Sequence, residues 1–238
     1  MGSSAEARCW AVVPAAGVGK RMQAQVPKQY LPLGERTVLE HTLSRLLTHP
    51  RIAGVVVAIT PGDPYWQELA SRFDATRVRV ADGGAERCHS VLNALNRLND
   101  IGDDAWVLVH DAARPCLRHA DIDRLFAELE ADPVGGILAL PVSDTVKRAD
   151  SQRTITATVD RNGLWRALTP QMFRFATLRR AIGDALARGD LVTDESAAIE
   201  AAGLAPKVVE GHADNIKITR PGDLALASLY LDLQQREA

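Results

Sequence analysis

The sequence predicts an α/β fold with a mostly parallel sheet and helices on both of its faces. Short apolar runs of strand length recur along the chain, and amphipathic stretches with helical spacing separate them. Strands are expected at 9–13, 54–59, 78–81, 105–110 and 136–142, and helices at 37–48, 64–73, 86–98 and 121–131. Since strands that alternate with helices favour right-handed crossovers, this order predicts a parallel sheet whose strands end at a common edge. Ligands of such sheets bind at that carboxyl edge, so the turns after Val13, Ala81 and His110 are the candidate site.

The segment 143–163 breaks this alternation. Its RTITATVDR stretch alternates polar and β-branched residues and carries few large apolar side chains, which is typical of an exposed hairpin. An isolated two-stranded arm is only marginally stable, so pairing with a second subunit is expected. Beyond the arm, helices are expected at 175–188, 194–202 and 221–233, and a strand at 207–210.

Composition limits the classes of function that the chain can serve. Of its 238 residues 46% are hydrophobic and 24% are charged, which is ordinary for a globular protein and predicts a single domain over 1–238. A net charge of −2 gives no overall basic field for nucleic acid or an acidic membrane, so phosphate binding must be local. Three cysteines without a CxxC pair are expected to be reduced, and no apolar run reaches the roughly eighteen residues of a membrane span. The expectation is a cytoplasmic protein with no nucleic-acid or membrane partner.

The first strand leads into a glycine-containing turn, PAAGVGKRM at 14–22, which PKQY follows at 27–30. Small residues let backbone amides approach an anion, and Lys20, Arg21 and Lys28 add positive charge around them. The turn does not match a Walker A loop, and it lacks the third glycine of a dinucleotide-binding fingerprint. A plain strand-to-helix turn with solvated basic residues is the alternative, but basic residues flanking the glycines favour a triphosphate.

A second glycine turn, DGGAERCHSV at 82–91, is expected at the same edge. The backbone of Gly83 and Gly84 could read the edge of a base, and Ser90 could offer its hydroxyl group. A tight turn between a strand and a helix explains the motif equally well.

The third turn, VHDAARP at 109–115, places an acid and an arginine at the end of a buried strand. Asp111 is a candidate to bind a ribose hydroxyl group or Mg²⁺, and Arg114 is a candidate to bind a phosphate oxygen. A local ion pair is the alternative. His110 is expected to be a packed strand-end histidine rather than a catalyst.

Taken together, the motifs resemble the 2-C-methyl-D-erythritol 4-phosphate cytidylyltransferase family over 10–231. The resemblance is carried by the three turns above and by PVSDTVKR, TVDRNGLWRALTPQ, TDES and ADNIKITRPGDL. It implies a Rossmann-like nucleotide-diphospho-sugar transferase fold with a protruding β-hairpin arm. It also implies a homodimer joined through the 143–163 arm, CTP as co-substrate and Mg²⁺ as the required ion.

The resemblance also implies roles for individual residues. Arg21 and Lys28 would stabilise charge on the α-phosphate, while Arg161 and Lys217 would position the acceptor phosphate. The nucleotide site would comprise Pro14, Ala15, Ala16, Gly17, Gly19, Gly83, Ser90, Asp111 and Ala112, with Asp111 as the metal ligand. Arg114, Thr145, Thr169 and Thr193 would surround the acceptor. Ala85 stands where some relatives have an acid, so base recognition there is expected to use the backbone.

The reaction that the resemblance implies is transfer of CMP from CTP to 2-C-methyl-D-erythritol 4-phosphate, with release of pyrophosphate, in non-mevalonate isoprenoid precursor biosynthesis. Two alternatives are a cytidylyltransferase for ribitol 5-phosphate and a non-catalytic nucleotide-binding module. The later motifs also have plain explanations. Thr193 could simply cap a helix, and Arg161 could be an exposed arm residue. Lys217 could be a charge on an edge strand that prevents unwanted pairing with another strand.

Overall fold

The computed structural model describes residues 9–17 and 26–237. Its strands are β1 Cys9–Pro14, β2 Pro32–Leu33, β3 Arg36–Thr37, β4 Ile52–Ile59, β5 Val78–Asp82, β6 Trp106–Val109, β7 Gly135–Pro141, β8 Val146–Ala149, β9 Ile155–Val159, β10 Trp165–Arg174 and β11 Lys207–Glu210. Its helices are α1 Val38–Leu47, α2 Pro64–Ala70, α3 Arg87–Leu95, α4 His119–Leu129, α5 Phe175–Ala187, α6 Glu195–Ala201 and α7 Gly222–Glu237. All predicted helices are present, with ends shifted by a few residues.

Seven strands form the main sheet in the order β11-β7-β10-β6-β1-β4-β5. Within this sheet β10 runs antiparallel to β6 and β7, and the other neighbouring pairs are parallel. The carboxyl ends of β1, β5, β6 and β11 therefore lie at one edge, as the sequence predicts. The amino-terminal half of β10 reaches the same edge, because Gln171 pairs with Val109 at the end of β6.

The sequence analysis missed β10, and Pro170 explains why. Proline donates no backbone hydrogen bond, so its presence argues against a central strand. In the structure the pairing of β10 with β7 is interrupted between Ala167 and Gln171, and the Thr169–Pro170 peptide is cis. The strand tolerates the proline because ladder pairing is already broken there. Thr169, within the interruption, is consequently placed at the carboxyl edge.

Apolar cores cover both faces of the sheet. On β1, Ala11 and Val13 pack into one core with α1 and α4, while Val12 packs into the opposite core with α3 and α5. This alternation follows from the two-residue period of a strand. Burial on both faces confirms the predicted layering of helix, sheet and helix.

A capping box begins α1. The Thr37 hydroxyl accepts a hydrogen bond from the Glu40 backbone N–H at 3.2 Å, and the Glu40 carboxylate accepts one from the Thr37 N–H at 2.7 Å. We expect Thr37→Ala to lower the free energy of unfolding by about 1 kcal/mol, measured by urea denaturation. Thr76→Ala, in an exposed turn, is the control and should change stability less than Thr37→Ala does.

The 143–163 segment forms the predicted hairpin arm. Within the part of the chain that the structure describes, strands β8 and β9 pair only with each other, and most of their side chains are exposed. Ile155 on β9 is 62% exposed although it is fully apolar. The arm thus offers an apolar surface that the described part of the chain does not cover.

The three cysteines Cys9, Cys88 and Cys116 are all buried and unpaired, as the sequence predicts. Burial raises the pKa of the Cys116 thiol to about 12, which keeps it protonated. Among the described residues, no helix has the length and apolar character that crossing a membrane requires.

Candidate active site

The turns after β1, β5 and β6 converge on a cavity of about 560 Å³. Backbone and small side chains of the first turn form one wall, and residues of the second and third turns face it. Of the predicted site residues, those that line this cavity are Pro14, Ala15, Ala16, Gly17, Lys28, Ser90, Asp111, Ala112 and Lys217. Gly84 and Ala85 line it as well. The structure therefore brings together most of the predicted nucleotide site.

The second turn is packed closely against its neighbours. A Cβ atom on Gly83 would lie 2.1 Å from the Ala16 Cβ, and one on Gly84 would lie 2.2 Å from the His89 Cβ. The Ser90 hydroxyl accepts a hydrogen bond from the Gly84 N–H at 3.0 Å and donates one to the Glu86 carbonyl at 3.3 Å. The Ser90 side chain thus stabilises the second turn. Gly83 does not line the cavity, but its lack of a side chain lets the first two turns pack closely against each other.

Lys28 is held at the cavity by a short 3-10 turn, Lys28–Tyr30. The Gln29 amide donates a hydrogen bond to the Ala15 carbonyl at 2.5 Å, and the Tyr30 hydroxyl donates one to Asp63 at 2.9 Å. The Lys28 Nζ donates to the Ile218 carbonyl at 3.1 Å. These bonds fix the lysine between the first turn and the loop after β11.

Asp111 lies at the centre of a cationic cluster. Its Oδ1 lies 3.0 Å from Arg87 Nε, and its Oδ2 lies 2.7 Å from Lys217 Nζ and 3.7 Å from Arg114 Nε. Burial alone would raise the pKa of the Asp111 carboxyl group. The surrounding charges of Arg87, Lys217 and Arg114 outweigh burial and hold that pKa well below its usual range. Asp111 is therefore ionised at neutral pH.

A buried hydrogen-bond network supports this cluster from behind. The Asp111 N–H donates to the Thr169 hydroxyl at 3.1 Å, and this hydroxyl lies 3.0 Å from His110 Nδ1. His110 Nε2 lies 3.0 Å from the Arg114 carbonyl. Because a carbonyl only accepts, Nε2 carries the proton and Thr169 donates to Nδ1. Burial lowers the pKa of His110 to about 4, so it is a neutral packed histidine, as the sequence predicts.

A second, smaller cavity of about 190 Å³ adjoins the first. Three of the four residues predicted to surround the acceptor, Arg114, Thr169 and Thr193, line it. Arg87, Asp111 and Lys217 line both cavities. The cationic cluster is therefore the boundary between two adjacent binding spaces.

Two predicted residues lie on the arm, outside both cavities, and two others fall outside the described residues. Arg161 and Thr145 belong to the exposed arm, where Arg161 donates a hydrogen bond to the Ser143 carbonyl, and neither is among the lining residues of the two cavities. Arg21 and Gly19 lie outside the described residues. Their assignments stay predictions.

Two residues of the cluster were missed by the sequence analysis. Arg87 donates two hydrogen bonds to Glu195, at 2.6 and 3.0 Å, and Glu195 is only 1% exposed. Both residues occur in quoted motifs, but a pair joined across 108 positions leaves no local pattern. The alternative explanation, in which Thr193 simply caps a helix, is wrong, because the N-cap residue of α6 is Asp194, which accepts a hydrogen bond from the Ala197 N–H.

The contacts of Asp111 bear on its predicted role as a metal ligand. Within the described residues no group of three or more histidine, cysteine, aspartate or glutamate residues could hold a metal ion. Mg²⁺ often uses only one or two carboxylates together with substrate phosphates. Both Asp111 oxygens already contact cations, so Asp111 fits a direct Mg²⁺ ligand poorly in this arrangement. Its metal role stays a prediction.

The chain is similar to known proteins over most of its length. The family model described as "IspD: 2-C-methyl-D-erythritol 4-phosphate cytidylyltransferase" matches residues 9–233. The 2-C-methyl-D-erythritol 4-phosphate cytidylyltransferase of Pseudomonas fluorescens (strain SBW25) is 56% identical over 217 residues, which cover 90% of this chain and 92% of that protein.

Solved structures give the same result for the fold. A crystal structure of 4-diphosphocytidyl-2C-methyl-D-erythritol synthase has a TM-score of 0.83 and 39% identity, covering 96% of this chain and all of that one (100%). The Francisella tularensis 2-C-methyl-D-erythritol 4-phosphate cytidylyltransferase has a TM-score of 0.81 and 34% identity, with coverage of 94% and 100%. The predicted Rossmann-like transferase fold is confirmed. The chain belongs to the 2-C-methyl-D-erythritol 4-phosphate cytidylyltransferase family.

Proposed function

We propose that this chain transfers a cytidylyl group from CTP to the phosphate of 2-C-methyl-D-erythritol 4-phosphate and releases pyrophosphate, a step of isoprenoid precursor biosynthesis. The observation that carries the proposal is the pair of adjacent cavities with a common wall of Arg87, Asp111 and Lys217. The larger cavity accommodates the nucleotide and the smaller one the acceptor phosphate. Positive side chains at their boundary suit two phosphorylated molecules placed end to end.

The reaction is a direct displacement. An acceptor phosphate oxygen forms a bond to the α-phosphorus, and the bond to the bridging oxygen of pyrophosphate breaks, so that pyrophosphate leaves with the electron pair. A phosphate monoester is largely ionised at neutral pH, so the step needs no general base. The chain contributes position and charge: Lys28 faces the triphosphate from the 3-10 turn, and Lys217 faces the acceptor from the loop after β11. Arg21 is assigned the same role as Lys28 on the resemblance alone.

Mg²⁺ is part of this proposal. When bound it would neutralise charge on the triphosphate, and phosphate oxygens would supply most of its ligands, because Asp111, which lines both cavities, already contacts three cations. We place the enzyme in the cytoplasm, since its three unpaired cysteines suit a reducing compartment.

The decisive experiment measures pyrophosphate release with each of the four nucleoside triphosphates, against both 2-C-methyl-D-erythritol 4-phosphate and ribitol 5-phosphate, with and without EDTA. We expect release only with CTP and the erythritol phosphate, and none with EDTA. Preference for ATP would overturn the assignment of the base, and an equal rate with ribitol 5-phosphate would overturn that of the acceptor. Absence of release with every pair would leave a non-catalytic nucleotide-binding module.

A homodimer completes the proposal. The arm is exposed, and its Ile155 is an uncovered apolar side chain, which suits pairing with a second copy. The arm of that copy would bring Arg161 and Thr145 to the acceptor cavity. We expect Ile155→Asp to shift the mass measured by analytical ultracentrifugation from dimer to monomer and to lower activity. Leu229→Asp, at an exposed apolar position of α7 outside the arm, is the control and should remain dimeric. A monomeric parent chain would contradict the arm assignment.

The close packing of the second turn gives a further prediction. Gly83→Ala should displace this turn, because its Cβ would collide with Ala16 while the Gly83 N–H is held 2.7 Å from the Ile59 carbonyl. Overpacking of this kind costs about 1–3 kcal/mol, so we expect the KM for CTP to rise roughly tenfold. Gly102→Ala is the control, since an added Cβ meets nothing within 4 Å there. An unchanged KM in Gly83→Ala would show that the turn does not shape the nucleotide cavity.

A further inference from the structure

Arg87 joins two carboxylates that come from different parts of the chain. Its Nη1 and Nη2 bond to the Glu195 carboxylate at 2.6 and 3.0 Å, and its Nε bonds to Asp111 at 3.0 Å. These are the planar, two-pronged contacts that a guanidinium group makes and an ammonium group cannot. The two carboxylates also raise the pKa of Arg87 although burial opposes this, so the group stays charged.

The arrangement continues beyond Arg87. Asp111 uses its other oxygen to hold Lys217 Nζ at 2.7 Å. Glu195, Arg87, Asp111 and Lys217 therefore form a row of alternating charges along the boundary of the two cavities. We call these four residues the charge row. Glu195 is the only member that lines neither cavity.

The buried end of the charge row is anchored firmly. Glu195 is the first residue of α6, whose N-cap Asp194 also accepts a hydrogen bond from the Gln171 side chain at 3.0 Å. The side-chain amide oxygen of Gln171, Oε1, in turn accepts one from the Ser196 N–H at 2.9 Å. Gln171 lies in β10, so the start of the helix is tied to the sheet. Glu195 is thereby fixed relative to the central sheet.

The other end of the charge row needs such an anchor. Lys217 has a long flexible side chain that is 39% exposed and lies outside regular secondary structure. A free lysine would sample many rotamers, and ordering one costs conformational entropy. A displacement of about 1 Å of a group that positions a substrate can lower a rate by roughly a hundredfold. Contact with a fixed carboxylate removes this freedom before the acceptor binds.

We propose that Arg87 and Glu195 are positioning residues, which act through Asp111 to hold Lys217 in place for the acceptor phosphate. The inference rests on the proposed function. It explains why an arginine ion pair with an almost fully buried carboxylate lies at the boundary of the site. In this arrangement Glu195 affects the reaction without touching either substrate.

The test is a comparison of KM values in variants of Glu195, which lines neither cavity, and of its partner Arg87. Glu195→Gln removes the anchoring charge, and the double variant Arg87→Gln with Glu195→Gln removes both charges, so that neither is left buried and unpaired. We expect both to raise the KM for the erythritol phosphate roughly tenfold or more. In Glu195→Gln, which leaves the lining of both cavities intact, the KM for CTP should change much less. Arg87→Lys should also raise the KM for the erythritol phosphate, because an ammonium group lacks the planar fork whose three nitrogens bond Glu195 and Asp111 at once.

Glu40→Gln is the matched control. Glu40 is also a buried carboxylate paired with an arginine, Arg72, at 2.6 Å, but it lies away from both cavities. This variant should be destabilised in thermal unfolding yet keep both KM values. Equal KM changes in Glu40→Gln and Glu195→Gln would overturn the inference, as would an unchanged acceptor KM in both Glu195 variants. If the parent chain itself showed no cytidylyl transfer, the proposed function would fail instead.

Discussion

Replacing Lys28 with alanine is expected to lower the turnover number by about a hundredfold or more. As the α-phosphorus passes through its five-coordinate state, negative charge builds on its equatorial oxygens, and a preorganised cation stabilises that charge. The Gln29 bond to Ala15 and the Tyr30 bond to Asp63 hold the lysine in place. Since the 3-10 turn is anchored through those neighbours, the variant should keep its fold.

The measurement is the rate of pyrophosphate release at saturating CTP and acceptor. Lys207→Ala is the matched control, because Lys207 is also a lysine in a contact with a neighbour, Asp132 at 2.7 Å, but lies on β11 outside both cavities. The control should retain turnover close to the parent value. Near-normal turnover in Lys28→Ala would show that the charge is stabilised by another group.

The regular part of the fold could be predicted because it depends on local patterns. Strands such as β1 and β4 are short apolar runs, and helices such as α1 have an apolar face at helical spacing. The strand β10 could not be predicted from those patterns, since Pro170 lies within it. It is buried in the middle of the sheet by tertiary pairing with β6 and β7, and such pairing leaves no periodic signal when a proline interrupts the strand.

The candidate site divides in the same way. The turns after β1, β5 and β6 could be predicted to meet, because parallel strands end at one edge. The roles of Arg87 and Glu195 could not be predicted, because their ion pair depends on how the fold brings the start of α6 close to the start of α3. Each residue has a local explanation, one as the first residue of α3 and the other at the start of α6. The structure alone shows that they share a bidentate ion pair.

Asp111→Asn should produce the largest loss of stability among these variants. The change keeps the shape of the side chain but removes the carboxylate that contacts Arg87, Arg114 and Lys217 together, so that these cations repel one another. Removing one partner of a buried pair costs about 3–5 kcal/mol. We expect the free energy of unfolding to fall by roughly 3 kcal/mol, because Lys217 is 39% exposed and water screens its interaction with Asp111. Urea denaturation at neutral pH measures this loss, and activity should fall with it because Lys217 loses its partner.

The pH dependence of that loss separates charge from packing. The folded-state pKa of Asp111 lies below its ordinary value, which is about 3.9 in an unfolded chain. The stabilisation is therefore fully present above about pH 4 and is lost as the pH falls towards the folded-state pKa. The stability curves of the parent and Asp111→Asn should run parallel near neutral pH and converge in acid. Asp100→Asn, which removes a carboxylate from an exposed pair with Arg79, should follow the parent curve throughout. A constant difference between the parent and Asp111→Asn down to pH 3 would mean that altered packing, rather than the lost negative charge, causes the destabilisation.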